Sequence, residues 1–147
     1  NCSSPKSAAR SNPISSSPLT PDRDRLRKID GPRLLWHSDY HDGPVSGMLE
    51  LDGEQCWFLF VDSLGDDDER TRIFNVYRLT QEQLADEIER MAYFRERVGT
   101  HCDYKPDGKR DIGGLRPQEM RAAFYERYPP GKDRGYSKNE VIAWFEW

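Results

Sequence analysis

Two apolar segments, residues 45–51 and 55–62, meet at Asp52-Gly53, and this junction constrains the fold more than any other feature of the chain. An Asp-Gly pair between apolar runs asks for positive φ at both central positions. That is the requirement of a type I′ turn, whose twist suits two antiparallel strands. Along residues 45–51, Met48 and Glu50 fall on one face and Leu49 and Leu51 on the other. The partner segment carries Cys-Trp-Phe-Leu-Phe-Val from Cys56 to Val61, apolar on both faces, as a central strand covered on both sides requires.

Around this hairpin the chain reads β first, then α, then a last strand. Residues 32–40 form an earlier strand, closed by a turn at Asp42-Gly43-Pro44, and residues 71–79 return as a fourth, with Ile73 and Phe74 in its buried part. Thr80 opens a helix, with Gln83 three residues on to complete a capping box. Leu84, Ile88, Met91, Phe94 and Val98 then fall on one stripe, opposite Glu82, Asp86, Glu89 and Arg97. Gly99 suits the left-handed position that ends the helix. Pro117 starts a second helix with Met120, Ala123, Phe124 and Tyr128 on its apolar side, and Pro129-Pro130 stops it. Residues 141–147 alternate as a terminal strand, tying Trp144 and Trp147 into the sheet. The expectation is an α+β domain: a small antiparallel sheet of about five strands with two helices packed on one face, preceded by an irregular N-terminal tail.

The tail is residues 1–30 and the domain residues 31–147. The tail has Ser at 3, 4, 7, 11 and 15–17, Pro at 5, 13, 18 and 21, and no apolar period. Such a stretch buries too little apolar surface to offset the entropy of ordering it, so it is expected either disordered or lying on a partner. It carries +3, which leaves −7 on residues 31–147 of a chain with net charge −4. An acidic domain repels phosphate backbones, which argues against sequence-independent nucleic-acid binding. No run approaches the roughly 18 apolar residues of a membrane helix. Cys2, Cys56 and Cys102 are too few and too scattered for a disulfide framework or a zinc ribbon, and Cys56 reads as a small core residue. An intracellular, reducing compartment is the expectation. An organelle interior fits if the Ser-rich, basic residues 1–21 are the remnant of a transit sequence.

Chemistry is densest at residues 36–47, Trp-His-Ser-Asp-Tyr-His-Asp-Gly-Pro-Val-Ser-Gly. On a strand, His37, Asp39 and His41 share a face about 6–7 Å apart at each step. With Asp42 beside them, and His101 folding back from the long segment 99–116, they form an N/O donor set for zinc or a similar ion. The alternative to a metal-assisted hydrolase on these residues is a hydrogen-bonded turn that shapes a non-enzymatic protein-binding domain with no cofactor. On that preferred reading, Trp36, Tyr40, His41 and Tyr104 offer the aromatic contacts that interfaces favour, and the partner is another protein. The segment 99–116 exceeds the length at which loops in compact domains are ordinarily passive connections. The acidic run 66–69 lacks the alternating spacing of a calcium loop and reads as a hairpin tip.

Overall fold

Asp52 and Gly53 take φ of 53° and 82°, the two positive values the turn demands. Around them β3 (Pro44–Leu51) and β4 (Glu54–Leu64) pair with Leu51 opposite Glu54 and Leu49 opposite Cys56. The computed structural model describes residues 23–40, 44–65, 71–130 and 134–147, with the backbone alone at Asp39 and Tyr40. Four further strands, β1 (Arg27–Lys28), β2 (Arg33–Tyr40), β5 (Thr71–Tyr77) and β6 (Val141–Glu146), complete a six-stranded sheet in the order β1-β6-β5-β4-β3-β2. With helices α1 (Gln81–Arg97) and α2 (Gln118–Arg127) the class is α+β, as expected. The sheet is mixed rather than wholly antiparallel, because β1 runs parallel to β6, Arg27 opposite Ala143 and Lys28 opposite Trp144. That additional strand comes from residues 1–30, the segment read as tail. Two exposed charged residues give no strand pattern; backbone pairing with β6 and ion pairs to Asp52 and Glu146 place them.

The order of the strands dictates the shape of the sheet. β1 and β2 lie at opposite ends of the bonding order, yet only residues 29–32 separate them in the chain. Five Cα steps reach about 18 Å at most. The outer strands of a flat six-stranded sheet would stand about 24 Å apart, at ~4.8 Å per strand. The sheet therefore rolls, and its two edges approach each other as in a barrel. The inner face explains how side chains can be fully buried with no helix above them: Leu49, Phe58, Phe74, Val76, Ala143 and Phe145 are all 0% exposed. Phe74 and Phe145 stack at 5.0 Å, with Phe58 edge-on to each at 5.7 and 5.8 Å. Cys56 is buried among these residues, as expected. Gly47 sits where the wall is thinnest: a Cβ there would meet the Trp36 carbonyl oxygen at 2.2 Å and Phe58 Cζ at 2.8 Å.

The outer face holds a second cluster, Trp36, Met48, Trp57, Tyr77, Met91, Cys102 and Tyr136, against which Leu84 and Phe94 of α1 pack. The capping box forms, with Gln83 N–H donating to Thr80 Oγ1 at 3.1 Å and Thr80 N–H to Gln83 Oε1 at 3.0 Å. The buried stripe of α1 differs from expectation at one place: Ile88 is 44% exposed, while Glu87 is only 3% exposed. Both positions satisfy a helical stripe between Leu84 and Met91, so periodicity cannot choose between them. α2 packs on α1, where Phe124 meets Phe94 edge-on at 5.2 Å and Tyr93 at 5.9 Å.

Candidate functional site

The segment 99–116, without helix or sheet pattern in the sequence, is ordered by backbone bonds. Cys102 and Tyr104 add to the free edge of β2: His37 N–H donates to the Cys102 carbonyl at 3.0 Å, and Tyr104 N–H to the Leu35 carbonyl at 2.9 Å. The chain then turns back as a tight hairpin, Lys105 N–H to Lys109 C=O at 2.7 Å, with Asp111 N–H returning to the Asp103 carbonyl at 2.9 Å. The Asp111 carboxylate accepts from Gly113 N–H at 2.7 Å, and Arg116 N–H closes on the Val98 carbonyl at 2.9 Å. Two glycines permit this closure. A Cβ on Gly113 would meet Thr100 Oγ1 at 2.2 Å, and one on Gly99, at φ 148°, would meet the Gly114 carbonyl oxygen at 2.9 Å. Gly99 thus allows a close backbone approach, and its φ is not that of the expected left-handed helix stop.

Side chains fix the same segment to α1. Arg95 grips the Asp103 carboxylate through Nε at 3.0 Å and Nη2 at 2.9 Å, and its guanidinium lies 5.3 Å above the Trp36 ring. The outcome is a braced loop with Ile112 89% and Leu115 59% exposed at its far side.

Of the residues expected at a partner interface, Tyr104 is half-buried, with its ring edge-on to His37 at 6.1 Å. Trp36 is 6% exposed, its ring under Arg95 and within the outer-face core cluster. His41 and Asp42 lie outside the described residues, as do the side chains of Tyr40 and Asp39. Of the proposed metal set, His37 is buried and faces Tyr104, while His101 lies against Phe94 at 5.6 Å. Among the described residues no group of three or more His, Cys, Asp or Glu is placed to hold a metal ion. Burial, aided by Arg110 and opposed by Asp103, holds the His101 pKa below its usual value. The acidic run 66–69 also lies outside the described residues.

Sequence reasoning missed two features. One is a polar latch under α1: the Glu87 carboxylate accepts from Arg134 Nε at 2.6 Å and from the Tyr136 hydroxyl at 2.8 Å. Arg134 also covers the Trp57 ring at 5.3 Å. Burial first, then the Glu87 charge, pushes the Tyr136 pKa far up, so the phenol stays a proton donor. Every contact in this latch is internal, which marks it as structural. The other is a cleft of about 250 Å³ at the seam of the rolled sheet, between residues 32–34, the hairpin at Tyr104–Lys105–Pro106, and Glu146 with Trp147. No helix of the described residues is long and apolar enough to cross a membrane. No family model, curated protein or solved structure matches this chain.

Proposed function

We propose that this chain is a small non-enzymatic protein-binding domain, an accessory subunit, adaptor or inhibitor, that docks another protein through the 99–116 excursion. The observation that supports this reading is Ile112, 89% exposed, on a backbone pinned at Cys102, Tyr104, Asp111 and Arg116. A single exposed aliphatic side chain is ordinary on a protein surface. Here, however, Leu115 at 59% exposure stands three residues away, and close glycine contacts together with a bidentate Arg95–Asp103 pair hold the presenting loop. A loop ordered before encounter avoids the entropic cost of ordering on binding. Apolar anchors within a polar surround are also the composition of interface centres.

The test is a photo-crosslinking residue at position 112, activated in the native source and read by mass spectrometry. One dominant, saturable protein adduct is expected, lost when Leu115 is changed to Ser. Because neither side chain belongs to the core clusters, Ile112→Ser with Leu115→Ser should change stability by no more than about 0.5 kcal/mol. Diffuse labelling that Leu115→Ser leaves unchanged would refute the reading.

A further inference from the structure

We infer that the protein docked on the 99–116 excursion is acidic where it meets this chain, with carboxylates set around an apolar centre. The partner's chemistry stated here rests on the Ile112–Leu115 docking proposed above. Its support is the charge that surrounds those two side chains. Residues 109–121 hold Lys109, Arg110, Arg116 and Arg121 against Asp111 and Glu119, a local +2 on a sequence of net charge −4. Lys105 and Asp107, earlier in the hairpin, cancel each other. Ile112 stands three residues from Lys109, about 11 Å of chain at most, and Leu115 adjoins Arg116. Arg121 Nε donates to the Arg116 carbonyl at 3.0 Å, which brings a further guanidinium to the same turn. A carbonyl satisfies that donor but leaves its charge uncompensated. Among the described residues no carboxylate forms an ion pair with Lys109, Arg116 or Arg121. The half-buried Asp111, by contrast, directs its carboxylate to Gly113 N–H at 2.7 Å.

Complementarity of both kinds selects the occupant. Cations at the rim of an interface steer encounter and select a partner of opposite sign, while the apolar centre supplies the contact that excludes water. Nucleic acid meets only half of this. Its phosphates find nothing at Ile112 and Leu115, and they continue past so small a patch onto a remainder whose net charge is −6 once residues 109–121 are set aside. A second copy of this chain is disfavoured as well, because a symmetric contact through the same face would set the same cations against each other. A compact protein surface with Asp or Glu around an apolar residue meets both requirements.

The full chain carrying the photo-crosslinking residue at position 112 is titrated into extract of the native source at about 0.05 and about 0.5 M salt. Three forms are compared: the parent, Lys109→Glu with Arg116→Glu, and Arg116→Lys. The crosslinked peptide of the partner is expected to be rich in Asp and Glu. The concentration giving half-maximal labelling should rise about tenfold on charge reversal, and by a similar factor when salt is raised on the parent. Arg116→Lys keeps the sign and should stay within about twofold of the parent. Neither the Lys109 nor the Arg116 side chain takes part in a hydrogen bond or ion pair among the described residues, so charge reversal should leave the melting temperature in place. Should it fall, the salt response of the parent still decides. A saturable protein adduct indifferent to salt and to charge reversal overturns the acidic partner and leaves the Ile112 docking standing. An adduct that nuclease removes, or one between two copies of this chain, overturns it too. No saturable adduct at all overturns both.

Discussion

At the residue scale, single atoms decide what the barrel wall tolerates. Gly47 has no strand propensity to recommend it, yet a Cβ there would press on the Trp36 carbonyl oxygen at 2.2 Å and the His37 Cα at 2.6 Å. Both obstacles are backbone and cannot rotate aside. Gly47→Ala should therefore cost about 3 kcal/mol, the upper end for overpacking, read as a lower denaturant midpoint. Gly53→Ala at the hairpin meets no atom within 4 Å and suffers only from its φ of 82°, so it should cost less, about 1 kcal/mol. His101 supplies the pH dependence. Its Nδ1 is buried with no hydrogen-bond partner among the described residues, and burial followed by the Arg110 charge lowers its pKa. Above the unfolded value of about 6.5 both states are neutral and His101 contributes no pH dependence. As pH falls through about 6.5 the unfolded chain takes the proton first, so stability drops. His101→Phe keeps the contact with Phe94 and should flatten that acid limb. Equal slopes of melting temperature against pH in parent and variant would show that His101 titrates normally.

At the element scale, the hairpin, the capping box and the β-then-α order were legible because each rests on local chemistry: paired positive φ, a hydroxyl three residues before an amide, alternation of apolar residues. The face of α1 was not. Leu84, Met91, Phe94 and Val98 fix the stripe, but residues 87 and 88 are one step apart, and hydrophobicity alone chooses Ile88. The structure buries Glu87 instead because Arg134 and Tyr136, some fifty residues away, complete its hydrogen bonds. Nothing local to the helix announces those partners. The latch makes a sharp prediction. Glu87→Leu leaves Arg134 charged under the helix at 14% side-chain exposure and should cost about 3–5 kcal/mol. Adding Arg134→Leu removes the orphaned charge, so the double variant should unfold at a higher urea concentration than the single one. A double variant no more stable than the single would show that Arg134 is hydrated rather than buried. The loop 99–116 was flagged by length alone, and its ordering depends on the Leu35 carbonyl and His37 N–H of β2 and on Arg95, long-range partners again beyond sequence pattern. The His-x-Asp-x-His spacing, conversely, was plain in the sequence, but spacing along a strand says nothing about what stands opposite. His37 meets the Tyr104 ring there, brought in by residues 102–104 on the β2 edge.

At the scale of the whole molecule, closure of the sheet rests on a segment whose composition conceals its role. Residues 23–28, Arg-Asp-Arg-Leu-Arg-Lys, look like a solvated charge run, and the sequence alone favours cutting the domain after them. In the rolled sheet each anchor reaches a different place: Arg23 to Asp62 of β4 at 3.7 Å, Arg27 to Asp52 of the β3–β4 turn at 2.5 Å, Lys28 to Glu146 of β6 at 3.4 Å. Arg23 and Lys28 also cover the Trp144 ring at 5.9 and 5.3 Å. The segment is a strap across the seam, secured by two strand residues and by surface charges rather than by burial. Two consequences separate it from a passive tail. A chain starting at residue 29 should melt on the order of 5 °C below one starting at residue 23, since loss of β1 leaves the β6 edge and Trp144 uncovered. The gap between the two should also narrow as salt is raised from 0.05 to about 0.5 M, because exposed ion pairs are screened over a Debye length of a few ångströms there. Equal melting temperatures at low salt would return residues 23–28 to the tail. A gap indifferent to salt would instead place the closing energy in the backbone pairing of Arg27 and Lys28 with Ala143 and Trp144, and not in the charges.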